Sequence, residues 1–575
     1  MKPLFISLTY ETTESNKTGS WRYRKPRYED KTSPCGAACP AGEDMAKVQM
    51  LISQGLFEEA WQTILRENPL PGVCGRVCFH PCEGMCNRES FDSAVAIHTI
   101  ERFVADMAAR NNLTPTIKKI PIKPRRIAMI GSGPAGLSAA WFLTVLGYHC
   151  DIYESLPEAG GIMRWGIPEY RLPSDVLKSE IARIEKLGIA IFTGRHITET
   201  EFNELRKKYD AVFMGCGHSR SLPLGIAGET PESVHDGLAF LQTVRKGERP
   251  SSPGLTAVIG GGNTAVDIAR TVMRLGGKSV ILYRRRRQDM PAFNEEITMA
   301  LEEGVELREL LSPTAIYPDD KGYRLILRKM KIEGQDEDGR GKIIPDGEQT
   351  CEIICERVFA ATGADVSEPW HNPPLNDHRV LNLSHCTVLL KDAAPLIYGG
   401  DLTNATKNIT QAIASGKQAA MALDTCFRQG FDSIQSRLAE CRFGDGNSLS
   451  MEVYMGGNRK LRSSHVVRYE EINTDYFQSE QRVSQNRLPV DARISSFNEI
   501  ERGITDGPAR QEAGRCFNYG LCNQCDNCYI FCPDVAVIRG RNMEDRQINP
   551  DYCKGCGLCA AECPRSAVMM EGEEI

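Results

Sequence analysis

Two cysteine runs near the C-terminus repeat one spacing: Cys522-x2-Cys525-x2-Cys528-x3-Cys532-Pro533, then Cys553-x2-Cys556-x2-Cys559-x3-Cys563-Pro564. Such a run gives three thiolates to one 4Fe–4S cubane and sends its fourth to the other. Cys522, Cys525, Cys528 and Cys563 are therefore expected around one centre, and Cys553, Cys556, Cys559 and Cys532 around the second. After each Cys-Pro the chain repeats itself, as Asp534-Val535-Ala536-Val537 and Arg565-Ser566-Ala567-Val568. That is the pattern of a duplicated half-domain with a short strand in each half. Structural zinc is the competing reading, but zinc knuckles seldom use x2, x2, x3 twice with proline following. Cys516 is expected to stay outside both ligand sets, because eight other thiols already satisfy two cubanes.

At 575 residues the chain is too long for one core and implies three or four domains. A net charge of -6 leaves no electrostatic footprint for nucleic acid, and no apolar run approaches the length of a membrane span, so neither partner class is expected. The first residues lack a small-residue cleavage site, so a signal peptide is not expected and a cytoplasmic location is. Of 22 cysteines, six fall between positions 35 and 86 and nine between 516 and 563. Clustering of that kind points to metal ligation rather than to a disulfide framework.

Ile127 to Ile130 reads as a buried strand that runs directly into Gly131-Ser132-Gly133-Pro134-Ala135-Gly136 and an apolar helix. In that context the glycines have distinct tasks. Gly131 permits the tight turn, Gly133 lets a pyrophosphate approach the backbone, and Gly136 allows close helix packing. The next strand, His149 to Tyr153, ends at Glu154, which is placed to accept from a ribose. About 130 residues on, Ala257 to Ile259 leads into Gly260-Gly261-Gly262-Asn263-Thr264, so a second dinucleotide is expected. Its following strand, Ser279 to Tyr283, ends in Arg284-Arg285-Arg286-Arg287 instead of an acid. Guanidinium groups pair with a 2′-phosphate, so NADP(H) is favoured over NAD(H).

Asp210 to Gly217 and Val358 to Gly363 each carry an apolar strand into a glycine turn and read as the crossings between two nucleotide domains. Further on, Leu396 to Tyr398 leads into Gly399-Gly400-Asp401, and a helix is expected over 408–423. Asp401 is suited to a ribityl chain, with the positive end of that helix facing a flavin ring. Ala412, Ala414 and Gly416 would let the helix approach its neighbour closely.

These segments, with Asn68 to Cys78, Pro81-Cys82-Glu83, Glu158-Ala159-Gly160-Gly161-Ile162-Met163-Arg164-Trp165-Gly166, Tyr283-Arg284-Arg285 and Met290-Pro291-Ala292, make the chain resemble the glutamate synthase small subunit. That family includes the reductase half of dihydropyrimidine dehydrogenase and the large subunit of electron-bifurcating ferredoxin:NADP transhydrogenase. The resemblance covers the chain to about residue 425. It implies FAD in the first nucleotide fold, with Gly161 and Arg164 among its contacts, and an NADPH domain inserted within it. It also implies an N-terminal helical iron–sulfur domain with one or two 4Fe–4S clusters. By similarity Cys39, Cys78 and Cys82 ligate the centre nearer the flavin, with Glu101 as an oxygen ligand on a helix over 95–109. Relatives with two N-terminal clusters have a further cysteine pair before the position of Cys35, and this chain has none. Cys35, Cys86 and the extra Cys74 are thus left either inert or holding a second, incomplete cluster. A zinc site remains open for the spacing Cys78-x3-Cys82-x3-Cys86, and an ordinary surface role for Glu101.

The fold expected is multidomain α/β: a helical iron–sulfur domain (1–120), an FAD domain in two parts (121–255 and 365–430), an inserted Rossmann-type NAD(P)H domain (256–364), a connector (431–510) and a bacterial-ferredoxin-like α+β domain (511–575). The tail is expected to be separable. The function expected is an NAD(P)H oxidoreductase subunit that passes electrons between NADPH and ferredoxin or a partner redox subunit, with electron bifurcation as one form. A glutamate synthase small subunit and a non-catalytic wiring scaffold are the alternatives. Nicotinamide exchanges electrons in pairs and a cubane singly, so a flavin must stand between them.

Overall fold

The computed structural model describes residues 15–117, 120–251, 254–336, 339–373, 379–391, 394–540 and 546–573. Its centre is a seven-stranded sheet in the order 379–382, 386–391, 394–399, 211–214, 126–130, 149–153, 190–192. The five strands from Ala394–Gly399 onward run parallel, and the first two return as an antiparallel edge. Arg126–Ile130, buried on both faces, has the unbroken apolar run such a position demands. Helix Pro134–Val145 starts with proline at its first turn, where a missing N–H costs nothing, and stops ahead of Gly147 at φ +91°. Helix Ile409–Gln429 lies against it. A Cβ on Gly416 would stand 2.3 Å from the Ala135 carbonyl oxygen, so glycine sets that close approach.

The second sheet has five parallel strands in the order 306–309, 278–283, 255–259, 357–360, 235–236, and is backed by helix Asn263–Arg274. A three-stranded antiparallel sheet, Leu311–Asp319, Gly322–Gln335 and Gly341–Cys355, is appended to it. Strand His235–Asp236 and helix Gly237–Arg245 belong to this unit, so it begins before the expected boundary at 256. Asp236 explains the placement: its carboxylate caps the helix at Leu238 and Ala239 and also accepts from Ser221.

Helices Met45–Ser53, Phe57–Leu65, Pro71–Val77 and Ile97–Arg110 form the N-terminal helical domain. It shares one apolar core with the first nucleotide fold. The polar connector wraps this junction by filling buried acceptors. Glu67, 1% exposed, accepts from Lys417 Nζ at 2.7 Å, the Met451 amide at 2.8 Å and Arg459 at 3.3 Å. A charge buried that deeply is tolerated only with such partners.

The tail is less separable than its sequence suggests. Strand Arg24–Tyr28 pairs antiparallel with Val568–Gly572, so the edge of the two-cluster module is supplied by the other end of the chain. Unpaired edge N–H and C=O groups would otherwise face solvent. Arg515, Cys516, Phe517 and Tyr519 are buried, and Phe517 packs against Phe91 and Phe477.

Candidate functional site

One continuous cavity of about 920 Å³ runs from the first glycine turn to the second. Its walls carry Gly131, Gly133, Pro134, Ala135, Glu154 and Gly161 from the first fold, and Gly260, Gly262, Asn263, Thr264, Arg284, Arg285 and Gly363 from the second. Gly400 and Asp401 close it beside the start of helix Ile409–Gln429. Gly131 has φ +100° and passes so near Gly215 that a Cβ would meet its carbonyl oxygen at 2.5 Å. A Cβ on Gly133 would meet nothing within 4 Å, which leaves open the approach a pyrophosphate needs. Gly136 stays out of the cavity and lets the helix close onto the Gly131 carbonyl. Arg164 is also absent from the walls; it pairs with Glu158 at 3.4 Å, and its carbonyl accepts from Arg245.

Glu154 is held rigidly. One carboxylate oxygen accepts from the Ser132 amide and hydroxyl at 3.0 and 2.5 Å, the other from the Leu156 amide at 2.9 Å. Burial, partly offset by His218 and Lys407, raises Asp401 above the usual carboxylate range. Asn408 caps the long helix by accepting from the Gln411 amide, so this dipole's positive end faces the cavity through Asn408, Ile409 and Ala412. Across the cavity Arg171 reaches Asp267 on the second fold's helix at 2.8 Å, both residues lining the wall.

The four arginines after Tyr283 divide. Arg285 donates to Asp336 at 2.6 Å and to the Gly341 carbonyl at 2.9 Å. Arg286 pairs with Asp289, and Arg287 reaches Thr298. Arg284 is exposed on the cavity wall, with no guanidinium partner among the described residues.

Fifteen of the 22 cysteines fall into four groups. Cys522, Cys525, Cys528 and Cys563 line one small tail cavity, and Cys532, Cys553, Cys556 and Cys559 line another. This is the crossed set that the spacing predicts. In the helical domain the Glu101 and Glu43 carboxylates bear electrostatically on the buried thiols of Cys39, Cys74 and Cys78. Burial first, then the Glu43 carboxylate, pushes Glu101 well above its usual range. Burial raises Glu43 to about 7. Asn68 bridges these two acids at 2.8 and 3.2 Å, so Glu101 is an interior group facing thiols, not a surface residue. Cys82 is within electrostatic reach of Cys78 and Cys39 in this group and of Cys35. Cys35, Cys86 and Cys516 form the fourth group; Cys516 is the member the sequence did not foretell, while Cys74, expected with Cys35 and Cys86, keeps company with Cys78 and Glu101 instead. No three or more His, Cys, Asp or Glu side chains among the described residues gather as a single metal ion requires.

Thr410 was also invisible in the sequence. Its hydroxyl donates to Cys78 Sγ at 3.1 Å, while its neighbours Ile409 and Ala412 line the dinucleotide cavity. No spacing rule links a threonine in the first turn of one helix to a thiol 332 residues earlier.

Comparison with known proteins accords with this layout. Residues 28–113 match the dihydropyrimidine dehydrogenase domain II, 4Fe-4S cluster family. Residues 125–384 match pyridine nucleotide-disulphide oxidoreductase, and 516–564 the 4Fe-4S dicluster domain. The NADP(+)-dependent formate dehydrogenase subunit beta of Moorella thermoacetica is 32% identical over 84% of this chain and 70% of its own length. The NADPH-Fe(3+) oxidoreductase subunit beta of Geobacter sulfurreducens is 32% identical over 86% of this chain and 76% of its own. The glutamate synthase [NADPH] small chain of Halomonas elongata is 30% identical over 67% of this chain and 86% of its own. The chain belongs to the glutamate synthase small-chain-like oxidoreductases. As a member it is an NAD(P)H-dependent flavin and iron–sulfur oxidoreductase, with FAD, NADP(H) and 4Fe–4S clusters at both ends. The donor chemistry fits that inventory: two glycine turns share one cavity, and each small tail cavity is ringed by four thiols. No helix among the described residues is long and apolar enough to cross a membrane.

Proposed function

We propose that this chain is the NADPH-side electron-transfer subunit of a larger cytoplasmic complex, linking NADPH to ferredoxin or a partner redox subunit through its tail. The observation that carries the reading is the Thr410 hydroxyl on Cys78, because one helix turn both walls the dinucleotide cavity and touches a thiol of the N-terminal group. FAD, when bound, turns the paired electrons of NADPH into the single ones that clusters accept. The chain's own residues position and insulate. Gly131 and Gly133 leave room for a pyrophosphate, Glu154 stands fixed for a ribose, and the N-terminus of Ile409–Gln429 favours negative charge at the flavin end. Arg284 offers a guanidinium to a 2′-phosphate, and the Arg171–Asp267 pair fixes the second fold against the first.

At the far end, Ile530, Phe531 and Val535 are 66%, 47% and 66% exposed beside the tail cysteines. Exposed apolar side chains grouped in this way suit a docking face. The printed names of the Moorella and Geobacter relatives describe beta subunits, which supports a complex. None of the 22 cysteines is joined in a disulfide, which suits a reducing compartment. The test is anaerobic: NADPH added to the full chain should bleach the flavin band and then bring up cluster EPR signals. The double variant Ile530→Ser, Val535→Ser should slow transfer to a co-purified partner or to ferredoxin but not to a small dye. Dye reduction without any cluster signal would defeat the proposal.

A further inference from the structure

We propose that Cys516, in the segment leading into the tail, joins Cys35 and Cys86 as a ligand of the second N-terminal iron–sulfur cluster, so that the tail segment completes a centre of the helical domain. The three thiols come from segments far apart in sequence, yet all are buried, none forms a disulfide, and all belong to one core. Tyr519 Oη lies 3.7 Å from Cys86 Sγ, and the charges of Cys86, Cys516 and Cys35 all bear on it. The backbone fixes this convergence on two sides. The Lys31 amide donates to the Gly520 carbonyl at 2.8 Å, and Arg88 donates to the Arg515 carbonyl at 2.7 Å, which places Cys516 between the segments of Cys35 and Cys86.

Buried cysteines are commonly small hydrophobes, and one alone would carry no weight. Three that bear electrostatically on one another and on the Tyr519 hydroxyl, with the cations Arg88 and Arg565 bearing on Cys516, are a different environment. A thiolate-bound cluster carries negative charge, and those guanidinium groups offset it. Zinc would draw its sulfurs together with bonds of about 2.3 Å. No such mononuclear gathering occurs here or in the tail among the described residues, whereas an inorganic iron–sulfide core spreads its thiolates. Three thiolates leave one corner of a cubane without a cysteine, or complete a three-iron cluster.

The position matters for the electron path, a point that rests on the function proposed above. Cys82 is within electrostatic reach of Cys78, Cys39 and Cys35. Arg565 bears on Cys516 and on Cys525, Cys563 and Cys522 of the tail. This centre is thereby linked electrostatically to the flavin-side thiols through Cys82 and to the first tail centre through Arg565.

Iron and acid-labile sulfide counted on the anaerobically purified full chain test it. The wild type should carry fifteen to sixteen irons, about four per cubane, against about twelve if the site is vacant. Cys516→Ser should lose roughly three or four irons and one EPR species while the tail signals and bound FAD persist. Cys35→Ser should lose the same species, and Cys441→Ser, at a buried cysteine elsewhere, should lose nothing. A wild-type count near twelve, or an unchanged count in Cys516→Ser, overturns the proposal. If Cys516→Ser does not fold, the wild-type count and Cys35→Ser decide. Failure of NADPH to reduce any cluster in a fully loaded wild type would instead refute the functional reading and leave the site standing.

Discussion

Tyr28 donates its hydroxyl to the Sγ of Cys528 at 3.1 Å, across 500 residues of chain. Burial, then the Cys528 thiolate, holds this hydroxyl well above its usual range, so it remains a donor. A hydrogen bond to a cluster sulfur favours the reduced, more negative state. Tyr28→Phe should therefore lower the potential of the tail centre held by Cys528, by about 40 mV for each 1 kcal/mol of differential hydrogen bonding. EPR-monitored potentiometry of both proteins checks this, and equal midpoints would show that the contact does not tune the cluster.

Arg284 and Arg285 should not contribute equally to coenzyme choice. Asp336 already engages Arg285, whereas Arg284 faces the cavity. Arg284→Ala should raise KM for NADPH roughly tenfold to a hundredfold, the loss of about 1.5 to 3 kcal/mol, and leave NADH little changed. Arg285→Ala should do less. Dye-reduction kinetics with both coenzymes decide it, and a larger effect at Arg285 would reverse the assignment.

His385 gives the fold a pH dependence. Burial first, then the Lys417 cation, pushes its imidazole down to about 4 from the usual 6.5. The folded protein thus keeps it neutral while the unfolded chain takes up a proton below pH 6.5. Stability from this group is complete above 6.5 and falls as pH drops toward 4, by about 2 kcal/mol at pH 5. Unfolding midpoints of the wild type should fall more steeply between pH 7.5 and 5 than those of His385→Gln. Parallel slopes would assign the acid lability elsewhere.

Phe517 should anchor the tail. It is fully buried, with Phe91 at 5.6 Å, Phe477 at 4.5 Å, Tyr519 at 5.7 Å and the Arg88 guanidinium at 4.8 Å. Phe517→Ala should cost about 3 to 5 kcal/mol and make the junction between connector and tail the first site cut in limited proteolysis. Unaltered cleavage would mean that the strand pairing of residues 24–28 with 568–572 suffices.

What the sequence determined by itself is local. A glycine turn between a strand and a helix is set by contiguous residues, so the turns at Gly131 and Gly260 were legible, with the tight turn at Gly131 and the close helix packing at Gly136. The crossed pairing of the eight tail cysteines was legible too, because a short run leaves few ways to surround a cubane. Tertiary structure decided whatever joins distant segments. Asp336 removed Arg285 from the free cations, the Ile409 helix brought Thr410 to Cys78, and Arg24–Tyr28 completed the edge of the tail. Cys516 shows the limit most plainly. Counted along the chain it was surplus to two satisfied clusters, and only packing set it beside Cys35 and Cys86, since periodicity records which face a residue takes within its own element and not which remote element that face will meet.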